Sequence, residues 1–471
     1  MAELAVAAAV IATAVFSYGG SHPAYQAPAL AGLFAGWGLL RLANRARPVI
    51  SSAASALVAA AALAVPLLWC VPVPMSLLDA LSPRRAWWVR QVHETAEAAA
   101  AWGSLSHVPS ETAFRAVSGF AYAFFGLWLF RLFSASALSR KRFVGFLFLL
   151  GSLQALYGLY QVLAPLQGTS RPVLGMAHGS FINRNHYAAF LGMVWPVLAA
   201  FTAAGFREPQ APGGLTAREG RWERRHKTLL GLFATGFVLL ALVFSRSRGG
   251  IVSAAAAATV LVLSAGSRKK TVTAAVAACW LVLLSYGAMI GFDEILARFD
   301  RLENDAPGRF RLWEDTWRML RDHPWTGVGP GAFQEAHKVY QDHLLEPQFA
   351  GHAHNDYLEW TAEWGWPAGL AGIGALWGLW IYGLLRVVRA RRRSPAAETS
   401  LAAGALAGTA ALMLHAWVDF PFRMGANALV FWALAALAAA EIRTMGAPEP
   451  AHVSHVRPSR GRAMNLHPDT R

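Results

Sequence analysis

Only two of the 471 residues are cysteine, Cys70 and Cys279, and both lie inside apolar runs. A disulfide framework and a cysteine-based zinc site are thereby excluded as organising principles, and the two thiols read as packing residues. Charge is scarce as well. Only 15% of the residues are charged and 55% are apolar, whereas a soluble domain carries about 25% charged residues. One or two soluble domains do not fit that balance. No solenoid, collagen or coiled-coil period is present, and 19 Trp and 26 Phe exclude a chain that is disordered over most of its length. The first apolar run is preceded by Glu3 and by no Lys or Arg, the wrong charge for a secretory signal. It is read as a helix.

What the sequence does have is apolar length. A helix of about 20 apolar residues spans about 30 Å of hydrocarbon, and about twelve runs approach that length: Leu4 to Phe16, Pro28 to Leu42, Val49 to Val71, Ala113 to Phe133, Phe143 to Leu163, Tyr187 to Phe206, Leu229 to Phe244, Ile251 to Ser264, Thr271 to Ile290, Ala368 to Leu385, Leu401 to Val418 and Ala428 to Ile442. The expected fold is all-α, a polytopic membrane protein with about 12 transmembrane helices.

The formal charge of +15 then has a place to go. If the spans are right, Lys and Arg crowd into alternate loops on the cytoplasmic side. The loops at 41–47, 131–142, 207–227, 268–270 and 386–393, with the tail from Arg443, hold 26 of the 42 basic residues. With 8 of the 27 acidic residues on that side, its net charge is +18 and that of the opposite side −3. Basicity is thus a topology signal, placing both termini in the cytoplasm. It is not a nucleic-acid surface, for the charges sit in separate short loops with no binding motif beside them. The same count puts Pro72 to Thr112, Ala164 to His186, the turn at Arg246, Gly291 to Pro367 and Asp419 to Asn427 outside. The fourth, about 75 residues long, is too long for a bare connection. A helix is expected over Arg309 to His323, stopped by Pro324, with a second helical stretch from Ala332 to Leu345. The chain divides into residues 1–178 with an outer loop near 72–112, residues 179–445 with the outer loop 291–367, and a basic, disordered tail over 446–471.

Chemistry-bearing residues gather in those outer segments. Phe244-Ser-Arg-Ser-Arg-Gly-Gly250 puts Arg246 and Arg248 where the positive-inside rule disfavours them, unless something anionic needs them; guanidinium forks suit phosphate and pyrophosphate. Snorkelling is the bland alternative. Arg309 and Arg311 begin the helix over 309–323, and either bind an anion at its N-terminus or pair with neighbouring acids. In Gly351-His-Ala-His-Asn-Asp-Tyr-Leu-Glu359, His352, His354, Asn355, Asp356 and Glu359, followed by Glu363, fit a histidine base with a carboxylate orienting it. His-x-His-x-Asp also resembles a metal site, but no further Cys and no His-Glu-x-x-His helix supports one, so no metal is expected. Asp419 and Arg423 lie in the last outer loop, as a structural ion pair or as partners of the other groups. Arg184 and Asn185 stand at a helix start, where capping alone accounts for asparagine.

In this order the segments resemble the O-antigen ligase and polysaccharide polymerase family of bacterial membrane glycosyltransferases. The matching features are Gly-x-Phe-x-Asn-x-Asn at Gly179 to Asn185, Ser-Arg-Gly at Ser247 to Gly249, Arg-x-x-x-Trp at Arg309 to Trp313 followed by His-Pro-x-x-Gly-x-Gly-Pro-Gly to Gly331, His-x-His-Asn-x-Tyr-Leu at His352 to Leu358, and Asp-Phe-Pro at Asp419. The resemblance covers roughly Gly179 to Asn427. It implies a GT-C-like membrane fold in the bacterial inner membrane, a periplasmic active site, no cofactor, and an undecaprenyl-pyrophosphate-linked glycan as donor. His354 would be the base, with Arg248 or Arg246 and Arg309 or Arg311 on the pyrophosphate. The acceptor would be another glycan unit in O-antigen, capsule or exopolysaccharide synthesis, lipid A core, or a protein. The ligase form of the histidine motif fits as far as Gly365 but has Ala368 at its last position. A transporter of lipid-linked glycan is the reading from another class, though such proteins place ionisable groups near the midplane with repeat symmetry, and the polar residues here are in outer loops.

Overall fold

The computed structural model describes residues 1–46, 48–50, 52–97, 99–163, 176–205, 215–265, 306–341, 350–391 and 400–445. The chain opens with α1 (Ala2–Phe16), α2 (Pro23–Leu42) and α3 (Ala53–Leu67). An outer loop follows, made of β1 (Pro72–Pro74), α4 (Met75–Leu81), α5 (Pro83–Thr95) and β2 (Trp102–Ser104), with β1 and β2 antiparallel and Pro72 opposite Ser104. Next come α6 (Pro109–Ala135), α7 (Ala137–Leu163), α8 (Arg184–Gly205), α9 (Leu215–Phe244) and α10 (Arg248–Ala265). The large outer segment holds α11 (Ala306–Asp322) and α12 (Phe333–His337), and α13 (Asp356–Arg391), α14 (Ser400–His415) and α15 (Gly425–Thr444) complete the described chain.

Among the described residues, seven helices are long and apolar enough to cross a membrane: those in Ala53–Cys70, Pro109–Ala135, Ala137–Val162, Arg184–Ala204, Arg225–Phe244, Asp356–Arg391 and Gly425–Thr444. The protein is a multi-pass membrane protein, with a smaller set of full-length spans than the twelve apolar runs suggest. Three of those runs form shorter helices, Ala2–Phe16, Arg248–Ser264 and Leu401–His415, which at 1.5 Å per residue fall short of a 30 Å core. A fourth, α2, is long but diluted by Pro23, Gln26 and Pro28. The run Thr271 to Ile290, Cys279 within it, and the tail 446–471 lie outside the described residues.

One apolar core runs from Leu4 to Ala440 and takes in residues from both sides of position 178. Half of α14 is Ala or Gly, and this lets it lie against α8 at backbone distance. A Cβ at Gly408 would stand 2.4 Å from Met193 O, and one at Gly404 2.9 Å from Pro196 O. Small residues at such a spacing are how membrane helices gain contact without a hydrophobic drive between them. Polar bonds tie the helix ends into two groups. At one end Trp128 Nε1 donates to Glu3 Oε1 at 3.0 Å, Arg131 to Val49 O at 3.2 Å, Arg391 to Ser264 O at 2.6 Å, and Arg140 pairs with Glu441 at 2.6 Å. At the other, Ser180 Oγ donates to Val15 O at 2.7 Å, Gln26 Nε2 to Arg423 O at 3.0 Å, Asn427 Nδ2 to His186 O at 3.2 Å and Asp356 N to Ala416 O at 2.9 Å.

The outer segment sits on this second end. α11 starts at Ala306 and stops at Asp322, ahead of Pro324; the second helical stretch is shorter than its pattern, five residues from Phe333 to His337, and 342–349 lie outside the described residues. Leu312, Met319, Val328, Phe333, Ala353 and Ala362 form its small core. Its glycine turn locks onto a kink in α13. Gly327 has φ +63° and Gly365 φ +76°, and a Cβ on the first would lie 2.3 Å from Glu363 O, on the second 2.4 Å from Trp325 O. Only glycine suits both the left-handed backbone and the contact.

The 72–108 loop docks on the same segment through two histidines. Ser82 Oγ and His323 Nδ1 are 3.2 Å apart, His107 N donates to Val328 O at 2.9 Å, and the rings of His107 and His323 meet edge to face. Burial pushes His323 down from its ordinary 6.5 to about 4, with Asp322 opposing and Arg85 and Arg84 assisting; burial, Arg85 and His323 push His107 down too. A depressed histidine favours the fold while neutral, so this docking is full above pH 6.5 and weakens as the pH falls towards about 4. Hydrogen exchange of residues 72–108 is expected to speed up over that interval beyond its intrinsic pH dependence. Unchanged protection would count against the histidine contact.

Candidate functional site

Two turns meet at the second end of the bundle. One precedes α13 and carries His352 and His354; the other links α14 to α15 and carries Asp419, Phe420 and Arg423. His354 adopts φ +50°, an unusual backbone for a non-glycine residue that persists where the surroundings over-determine it. They do so here. Ala353 N donates to Glu359 Oε2 at 2.8 Å, and its carbonyl accepts from Trp313 Nε1 of α11 at 2.9 Å. Asn355 Oδ1 then caps α13 by accepting from Tyr357 N and Leu358 N, both at 3.1 Å.

The outcome is a dyad. His354 Nδ1 lies 3.0 Å from Asp419 Oδ1, which also accepts from Phe420 N at 3.0 Å. The carboxylate is 1% exposed and the histidine 32%. Burial works against the charge of Asp419, but the hydrogen bond from His354, with His186, His415 and His354 nearby, holds it well below the usual carboxylate range. An ionised Asp419 is an acceptor only, so Nδ1 carries the proton and Nε2 is the lone pair left for chemistry. Phe420 is the wall behind the ring: His354 and His186 meet it edge to face at 4.9 and 4.7 Å, and His352 stacks on it at 4.1 Å.

Behind the dyad is a buried charge cluster. Arg423 pairs with Glu363 at 2.6 Å, Glu359 at 3.2 Å and Asp356 at 3.9 Å. Burial disfavours its charge, but Glu363, Glu359 and Asp356 hold its pKa above the ordinary range. Two of the carboxylates also fix backbone or ring: Asp356 Oδ2 accepts from Phe422 N at 3.0 Å, and Glu359 Oε1 bonds His352 Nδ1 at 2.9 Å. The first turns of α13 thereby hold both loops of the dyad in register, so Asp356 and Glu359 are support for it and Asp419 is the residue that touches His354.

The arginines singled out from sequence lie around this centre. Arg248 opens α10 with an exposed side chain, and Arg246, at φ +54°, is exposed in the turn before it. Gly249 is so close to the dyad loop that a Cβ there would be 2.9 Å from Val418 Cγ2 and 3.0 Å from His415 Nε2. Arg311 is exposed on α11 two residues before Trp313, and of Arg309 only the backbone is described. Among the described residues no carboxylate lies within ion-pair distance of Arg246, Arg248 or Arg311, so the alternative of pairing with Glu314 or Asp315 does not hold for Arg311; Asp315 instead meets Arg318. Arg184 lies against Met176, and the Asn185 amide donates to Asn183 Oδ1 at 2.8 Å. The residue of that segment at the dyad is His186, which sequence reasoning passed over; it directly follows Asn185 and is 4% exposed. Phe420 was missed also. Among the described residues no group of His, Cys, Asp and Glu is arranged to hold a metal ion.

Residues 233–373 match the family described as O-Antigen ligase. The matched stretch takes in Arg246, Arg248, Arg311, His354 and Glu363 and ends before Asp419. No curated protein matches the chain.

Proposed function

From the match of residues 233–373 to the O-antigen ligase family, we propose that the chain is an inverting membrane glycosyltransferase that moves an undecaprenyl-pyrophosphate-linked glycan onto a hydroxyl acceptor at the periplasmic face of the inner membrane. His354 Nε2 takes the acceptor proton as the oxygen attacks the anomeric carbon, and Asp419 holds the tautomer and steadies the imidazolium that forms. Arg248 and Arg311, with Arg246 and Arg309 beside them in sequence, bind the donor pyrophosphate and stabilise its charge as it leaves. The carrying observation is the His354 to Asp419 contact at 3.0 Å; among the described residues, Arg246, Arg248 and Arg311 have no carboxylate within ion-pair distance. The product is polymer if the acceptor is a second lipid-linked unit, and ligated glycan if it is lipid A core or a protein.

The test is purified protein in liposomes given lipid-linked glycan alone, then with core lipid or acceptor protein. Product from donor alone identifies polymerisation. In the same assay Asp419→Asn is expected to lower turnover by about 100-fold or more, because a neutral amide can leave the ring in the wrong tautomer. Wild-type turnover in that variant would sink the dyad.

A further inference from the structure

Arg115 is a cation without a counter-ion. It lies in α6, six residues past the helix start at Pro109, about 9 Å along the axis, in a span long and apolar enough to cross a membrane. A charge at that depth marks function by default, and the alternative is snorkelling to the interface. The side chain is half-buried, with Nε enclosed in protein and without a hydrogen-bond partner, and, among the described residues, no carboxylate lies within ion-pair distance.

A matching acceptor lies in α13, across the Gly327 to Gly331 turn. Glu363 gives Oε2 to Arg423 at 2.6 Å, while its Oε1 is buried and unpartnered. The Gly327 to Gly331 turn joins the two residues. Gly329 N donates to Glu363 O at 3.0 Å, and at the other end of the turn a Cβ on Gly331 would lie 2.6 Å from Arg115 Cγ. The pair is thus one donor and one acceptor, on either side of one turn and not bonded, with Glu363 favouring the charge of Arg115 and linked to the dyad side through Arg423, Glu359 and His352.

Resting on the glycosyltransferase reading above, we infer that Arg115 and Glu363 bind a sugar hydroxyl of the lipid-linked glycan. A hydroxyl both accepts and donates, so it satisfies the guanidinium and the carboxylate together. A phosphate does not fit: Asp356, Glu359 and Glu363 stand together there, and a polyanion would face their charge as well as the arginine. Among the described residues, Arg246, Arg248 and Arg311 have no carboxylate within ion-pair distance. Arg115 is therefore a specificity residue for the glycan, separate from the pyrophosphate site.

Two lipids separate these roles: undecaprenyl pyrophosphate bearing the repeat unit isolated from the source cells, and undecaprenyl pyrophosphate bearing no sugar. Binding is measured with protein carrying His354→Ala, so turnover does not intervene. Adding Arg115→Met is expected to weaken the glycan-bearing lipid by about 10- to 100-fold, the range for a hydrogen bond to a charged group, and to leave the bare lipid unchanged. Arg248→Gln weakens both. Equal weakening of both lipids by Arg115→Met would make it a phosphate residue, and no change in either would remove it from the site; both overturn the inference. Arg115→Lys keeps the charge, and if the methionine variant is not monodisperse it is expected to give the same asymmetry at smaller size. Failure of the glycosyltransferase reading is recognised separately, as a parent protein that binds neither lipid.

Discussion

His354→Ala is expected to reduce glycan transfer by about 100- to 10,000-fold, the usual loss on removing a positioned base, with donor binding preserved. The separation follows from geometry. His354 is held by Asp419 and Phe420, whereas the arginines proposed for the pyrophosphate come from α10 and α11. Its neighbour is a poor substitute, since His352 Nδ1 is engaged by Glu359 at 2.9 Å and its ring is stacked on Phe420. Combining His354→Ala with Asp419→Asn adds little further loss, because residues acting as one unit are not additive. Initial rates in liposomes, with donor affinity measured apart, check this. A preserved rate would show that the proton goes elsewhere.

The second large effect is on stability. Arg423→Ala removes the one arginine or lysine that, among the described residues, lies within ion-pair distance of Asp356, Glu359 and Glu363, all buried. Stranding buried carboxylates typically costs about 3 to 5 kcal/mol, so the variant is expected to unfold in detergent at clearly lower temperature than wild type and to lose activity with it. Arg423→Lys is expected to recover only part of this, since an ammonium cannot reach three acceptors with the fork of a guanidinium. Unchanged thermal unfolding in Arg423→Ala would mean that the cluster does not hold the two turns together.

These outcomes depend on contacts that the sequence reveals unevenly. Helical membrane architecture was legible because apolar run length is a one-dimensional signal, and loop charge sorted the ends. Span quality was less so: whether Leu4 to Phe16 is a full crossing depends on how its end packs, not on its composition. His354 was legible as chemistry because its motif is local. Its partner was not. The carboxylates nearest in sequence, Asp356 and Glu359, looked suited to orient it, yet in the fold they turn to Arg423, Phe422 and His352, and the contact falls to Asp419, 65 residues on. Arg423 looked like a partner for Asp419 and instead binds three acids of α13. Arg115 left a signal that was available, a charge near the start of an apolar run, but only the fold shows what its side chain meets. His186 had none, since nothing in its local sequence brings it to Phe420.

The proposed reaction forms a glycosidic bond by displacing a lipid pyrophosphate, with His354 as base. The measurement is the release of undecaprenyl pyrophosphate by purified protein from a defined lipid-linked glycan, followed together with glycan product in wild type and His354→Ala. The account predicts one lipid pyrophosphate released for each bond formed, in wild type only. Glycan moved across the membrane still attached to its lipid, with no pyrophosphate lipid set free, would contradict it.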